Sequence, residues 1–110
     1  MTPLTPAVFH ILLALANGPR HGYAILKDVV LQTDGAFKMG PGTLYGTLQR
    51  LMEQGWVEET AGTGDPLDER RRYYRLCRGG RRALEAEVER MDLLVRVARS
   101  ERAIPRPSRS

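Results

Sequence analysis

Cysteine is almost absent from this chain of 110 residues, and Cys77 stands alone. One thiol cannot close an internal disulfide and has no cysteine companions for a zinc centre, so the composition suits a reducing cytoplasm and no staple is expected. The two histidines, His10 and His21, share no HExxH spacing. His21 stands where it can help start a helix, and no metal is expected. Long apolar runs are lacking too. The stretch from Val8 to Ala16 is far shorter than the roughly 20 residues that cross a bilayer. It follows Pro3 and Pro6 and has no basic segment before it, which makes it a core helix rather than a span or a leader. Aromatic residues make up 6% of the chain, few from which to build a cage around a ligand. Gly40-Pro41-Gly42-Thr43 lacks the lysine and spacing of a phosphate-binding loop, and no nucleophile, base and orienting group recur together. The expectation is a protein that is not an enzyme and carries no cofactor.

Positive charge is what the chain has in excess. Lysine and arginine total 17 against 13 acidic residues, a formal +4 that favours an anionic partner. Arg70, Arg71, Arg72, Arg75, Arg78, Arg81 and Arg82 fall together with no acidic residue among them, while Asp65, Asp68 and Glu69 lie just before. A chain this short has a modest core, which makes pairing with a second copy attractive.

Periodicity predicts four helices and two strands. Thr5 as cap and Pro6 at the first position start helix one, which keeps Val8, Ile11, Leu12 and Leu15 on one face until Asn17-Gly18-Pro19. Helix two runs from Tyr23 to Leu31 with Tyr23, Leu26, Val30 and Leu31 as its apolar stripe, ended by Thr33-Asp34-Gly35. Helix three, from about Thr43 to Gln54, turns Leu44, Leu48, Leu51 and Met52 inward and Thr43, Gly46, Gln49, Arg50 and Glu53 outward. Gly42 and Gly46 cost a helix interior roughly 1 kcal/mol each relative to alanine, which close approach to another surface would explain. Gly55 caps the helix, and strands follow at Trp56–Thr60 and Arg71–Leu76, with Tyr74 and Leu76 facing the core and Tyr73 and Arg75 facing away. Between them Ala61 to Glu69 forms a projecting loop. A last helix begins near Gly80 and carries Leu84, Val88, Met91, Val95 and Ala98 at coiled-coil spacing, with Leu94 beside them.

A polar-faced helix followed by a basic hairpin is the gripping unit of a winged helix-turn-helix. The expected class is α+β, mostly α, divided into a DNA-binding domain over residues 1–78, a dimerisation helix over 79–102 and a disordered basic tail over 103–110. Thr43, Gly46, Thr47, Gln49 and Arg50 are the candidate reading face; a solvated helix face is the bland alternative, and the basic hairpin that follows outweighs it. Gln49 and Arg50 suit adenine and guanine edges, and the threonine hydroxyls suit phosphate. Tyr45, at the edge of the apolar face, has a ring for the core and a hydroxyl for a phosphate, with simple packing an equal alternative. Arg70, Arg71 and Arg72 suit the DNA backbone. Leu84, Val88, Met91, Leu94, Val95 and Ala98 are the expected dimer seam, and folding of that helix back onto its own domain is the alternative. The rival classes are a protein-interaction module or a small-molecule sensor on the same fold without direct DNA readout, and a small enzyme.

The ordered segments His21-Gly22-Tyr23, Gly42-Thr43-Leu44-Tyr45, Leu48-x-Arg50-Leu51, Gly55-Trp56-Val57 and Arg72-Tyr73-Tyr74-Arg75-Leu76 resemble the PadR family of bacterial transcriptional regulators, over about residues 8 to 84. The resemblance implies a homodimeric repressor of double-stranded DNA. Its third helix would enter the major groove, its wings would touch the flanking backbone, and its terminal helices would form much of the dimer contact. It also implies a possible small-molecule effector, held near Trp56 or the last helix. Two residues depart from the family pattern. Cys77 replaces a threonine that often caps the last helix, which moves the expected helix start toward Gly79. Trp56 is bulkier than the usual aliphatic residue and marks a local pocket.

Overall fold

A computed structural model describes residues 3–61 and 72–100. Arg70, Arg71, the expected loop beyond Ala61 and the expected tail over 103–110 lie outside the described residues. Helix α1 spans Pro6–Leu15, where the Thr5 side chain accepts a hydrogen bond from the Val8 amide at 3.3 Å and Pro6 fills the first helical position. A two-residue strand β1, Arg20–His21, leads directly into α2, Gly22–Gln32. The cap of α2 is a histidine: His21 Nδ1 accepts from the Ala24 amide at 3.2 Å, which places that ring in helix initiation. Asp34 and Gly35 then take positive φ, 51° and 82°, and the Gly35 amide returns to the Val30 carbonyl at 2.9 Å. The Thr33 hydroxyl accepts from the Phe37 amide at 2.9 Å, which fastens the approach to the next helix.

Helix α3, Pro41–Glu53, starts two residues ahead of Thr43, because Pro41 carries the preset φ of a first helical residue and Gly40 caps it. Gly42 therefore sits in the first turn, and the cost of a mid-helix glycine falls on Gly46 alone. Leu44 and Leu48 are fully buried and Leu51 is 2% exposed. Each contributes about 1.5–3 kcal/mol, which outweighs the roughly 1 kcal/mol that Gly46 costs. Gly55, at φ 77°, turns the chain out of the helix, and the Trp56 amide donates to the Leu51 carbonyl at 2.9 Å.

Strands β2, Val57–Thr60, and β3, Tyr73–Leu76, pair antiparallel with Val57 opposite Leu76 and Glu58 opposite Arg75. The sheet order is β1-β3-β2, so β3 is central. This arrangement corrects the alternation expected for β3. Tyr73 is only 9% exposed, because β1 covers it and the His21 ring meets it edge-on at 5.5 Å. Helix α2 is also turned relative to its expected stripe: Gly22, Ile25 and Val29 are buried, whereas Tyr23 and Leu31 are 65% and 77% exposed. The core gathers Ile11, Leu12, Leu15, Ile25, Val29, Leu44, Leu48, Leu51, Val57, Tyr74 and Leu84.

Helix α4, Arg78–Ser100, begins ahead of Gly79. The Cys77 amide donates to the Trp56 carbonyl and the Cys77 carbonyl accepts from the Arg81 amide, both at 2.9 Å, so the start of the helix is tied to the end of α3 and β2 through the backbone. Gly80 is sterically required there. A Cβ would lie 2.8 Å from Leu76 Cδ1 and overlap the Trp56 carbonyl.

Candidate nucleic-acid interface

The inner face of α3 is anchored by leucine, which leaves Thr43, Gly46, Gln49, Arg50 and Glu53 exposed in one polar face. Thr47 does not join them. It is 1% exposed, and its hydroxyl accepts from Arg50 Nη2 at 3.3 Å. A threonine is small enough to pass for a core residue, and its hydroxyl is used within the helix. The side chain is thus turned inward, and its contact is with Arg50 on the same helix. Gln49 Nε2 lies 3.5 Å from Glu53 Oε1 on the same face. At Gly46 and Gly42 an added Cβ would meet nothing within 4 Å, so no part of the described chain explains the missing side chains.

Tyr45 bridges α3 to α2. It remains 49% exposed, yet its ring end rests on Gly22, where a Cβ would lie 2.9 Å from Tyr45 Cζ. The close approach explains a glycine at the first position of α2. The next residue, Tyr23, is exposed, and Lys27 Nζ lies 5.2 Å from its ring centroid. Among the described residues Lys27, Lys38 and Arg50 have no carboxylate partner. The exposure of Tyr23 is not read from the sequence, because Tyr23 fits an apolar stripe by spacing alone.

At the base of the wing the cationic cluster is partly neutralised. Arg72 lies 3.8 Å from Glu59, and Arg75 is paired with Glu58 across the ladder. Both pairs are exposed, worth about 0–1 kcal/mol each, so an incoming phosphate meets little resistance in replacing a carboxylate. Burial, and Glu59 after it, raise the Tyr74 hydroxyl above its usual range, keeping it protonated beside Arg72. Burial likewise raises the Cys77 thiol, with Glu58 adding to the effect.

The expected seam divides in two. Leu84 is 5% exposed and belongs to the core of its own domain, because the first turns of α4 pack on α1 and the sheet. From Val88 onward the helix stands clear: Val88, Leu94 and Val95 are 43%, 53% and 44% exposed, and Met91 and Ala98 are half-buried. The Trp56 indole packs over Gly79, where the expectation placed a pocket. A cavity of about 340 Å³ lies between α1 and α2, lined by Leu13, Asn17, Arg20, Asp28, Leu31 and Gln32 among others. His10 is engaged with Gln32 Oε1 at 2.8 Å and stacked on Phe37 at 4.9 Å. Among the described residues no group of three metal-ligating side chains assembles, and no helix is long and apolar enough to cross a membrane.

Three helices, the third with an outward polar face, and a small antiparallel sheet that holds the β2–β3 pair define a winged helix-turn-helix. Residues 11–86 match the model of the transcriptional regulator PadR-like family, and the chain belongs to that family. An uncharacterized 37.1 kDa protein in transposon TN4556 of Streptomyces fradiae is 40% identical over 83 residues. That match takes in 74% of this chain and 21% of the relative, so the chain spans about a fifth of that protein's length. A transcriptional regulator from Clostridium thermocellum superposes with a TM-score of 0.69 at 28% identity, over 86% of this chain and 87% of that one. A PadR family regulator from Clostridium difficile gives 0.73 at 22% identity, over 87% and 97%, a likeness of fold.

Proposed function

We propose that the chain is a sequence-specific repressor that holds a pseudo-palindromic operator as a homodimer. The observation that carries this reading is the outer face of α3: a mid-helix glycine with open space above it, beside an arginine braced by a buried threonine. A groove floor can approach Gly46 closely, and Arg50 has the fork that matches the guanine edge. Thr43 and Tyr45 suit flanking phosphates, Gln49 suits adenine, and Arg72 exchanges Glu59 for the backbone. Arg70 and Arg71 belong to the same wing contact. Met91, Leu94, Val95, Val88 and Ala98 form the intersubunit seam, now without Leu84. An effector that releases the repressor would fit the cavity between α1 and α2, with Arg20 and Asp28 supplying polar contacts.

Duplex titration at several salt concentrations, with Arg50→Ala beside the wild type, tests the reading. Loss of a bidentate base contact costs about 1–3 kcal/mol on the operator and relaxes preference at one position in each half-site. Equal weakening on operator and random DNA reassigns Arg50 to phosphate. A wild-type protein with no salt-sensitive affinity for duplex DNA favours the protein-interaction module instead.

A further inference from the structure

Glu87 is the one acidic or basic side chain buried among the described residues, at 3% exposure. Glutamate is rarely fully buried, and an apolar residue of similar volume usually serves stability as well or better. Its contacts show what the charge does instead. One oxygen accepts the backbone amide of Leu4, 83 residues away, at 2.9 Å, and the two oxygens take Arg90 Nε and Nη2 at 2.6 and 3.1 Å. Leu4 lies just ahead of the α1 cap. Six residues before Glu87, Arg81 Nη2 donates to the Ala16 carbonyl at 3.3 Å, at the other end of α1. Two polar ties therefore hold α4 along the whole length of α1. Apolar contact alone lets a helix slide or rotate by small steps, whereas hydrogen bonds to backbone atoms at both ends fix register and angle.

Beyond Glu87 most side chains of α4 are exposed. The first exposed seam residue, Val88, is the next in sequence, so the last tie sits where the helix passes from its own core to open space. We propose that Glu87 is a positioning residue that sets the angle at which α4 leaves the domain, and through it the separation and rotation of the two recognition helices on DNA. The inference rests on the operator-binding dimer proposed above. It assigns to Glu87, Arg90 and the Leu4 amide a part in specificity that no residue of α3 can supply.

Half-sites on one side of a duplex are about 34 Å apart, and one inserted base pair shifts them by about 3.4 Å and rotates them by roughly 34°. A rigid dimer resists that shift and a loosely hinged one absorbs it. The probes are duplexes selected from a random pool by the wild-type protein, used as selected and with one base pair added or removed between the half-sites. Wild type should lose about ten-fold in affinity on the altered spacings, the scale of one lost base contact. Glu87→Leu, which fills the site but releases Leu4 and Arg90, should bring that ratio to within about two-fold while binding to a single half-site is unchanged. Leu4→Pro removes the same amide from the other side, at a position outside every helix, and should shift the ratio in the same direction. A purely structural role would instead lower the melting temperature and weaken all duplexes in equal proportion. Variants that remain folded dimers and keep the wild-type spacing preference overturn the proposal. If Glu87→Leu does not fold, Leu4→Pro alone decides. Failure of the wild type to bind any selected duplex would refute the operator reading, and a wild type indifferent to spacing refutes this one.

Discussion

Gly46→Ala separates folding from binding within one residue. The position lies in the interior of α3, is exposed, and has no atom of the described chain within 4 Å of where an alanine methyl would stand. Its φ is not among the positive values, which are confined to Asp34, Gly18, Gly35 and Gly55 among the described residues. Alanine is thus accommodated without strain and removes the conformational freedom that glycine loses on folding, a gain of about 0.5–1 kcal/mol. For a domain of this size that corresponds to a rise in melting temperature of up to about 4–8 °C. Binding moves the other way. If the helix lies against the groove at Gly46, the methyl stands where close-packed DNA atoms belong, and overpacking of a fitted contact costs about 1–3 kcal/mol. The assays are a thermal melt followed by circular dichroism and a duplex titration by fluorescence anisotropy on the same preparation. A variant that melts higher and binds its operator as tightly as wild type would refute the argument that Gly46 marks the point of closest approach.

Gly22→Ala should displace the ring of half-exposed Tyr45, because the new Cβ collides with its far end; the stability should change by less than about 1 kcal/mol, and any loss should vanish in the double variant with Tyr45→Ala. Met91→Asp should leave the domain folded, since Met91 is outside its core, but part the dimer at a cost of several kcal/mol, read by sedimentation velocity. Arg90, opposed by desolvation and helped by the Leu4 amide, holds the Glu87 carboxyl below its usual range. A depressed carboxyl stabilises fully above the ordinary glutamate value of about 4.3 and stops doing so as pH falls through the lower folded one. The difference in melting temperature between wild type and Glu87→Gln should therefore be constant near neutrality and shrink in acid; a difference that grows in acid would contradict it.

How much of this was legible in the sequence depends on the range of the interaction. Thr5 and Pro6 act on their own helix, and Leu44, Leu48 and Leu51 recur on one face, so α1 and α3 could be placed from spacing. Gly55 needed only its neighbours. The burial of Thr47 is not legible, because a threonine has a methyl and a hydroxyl and suits either face of a helix. Tyr73 looked solvent-facing because β1, two residues long, leaves no periodic trace and yet covers it. Leu84 and Val88 obey one heptad pattern, but the fold cuts between them: a repeat reports a face, not which body covers it. The arginine cluster looked uncompensated until strand register set Glu58 against Arg75. Glu87 was invisible for the same reason, since its partner lies at the opposite end of the chain.

The sheet has one further consequence, at its rims. With β3 in the middle, the strand borders left over belong to β1, two residues long, and to β2, four residues long with adjacent glutamates Glu58 and Glu59. Short borders with charged side chains are poor templates for the backbone of another molecule, which needs a longer run of free amides and carbonyls. Edge-to-edge pairing through the described strands is therefore disfavoured at both rims.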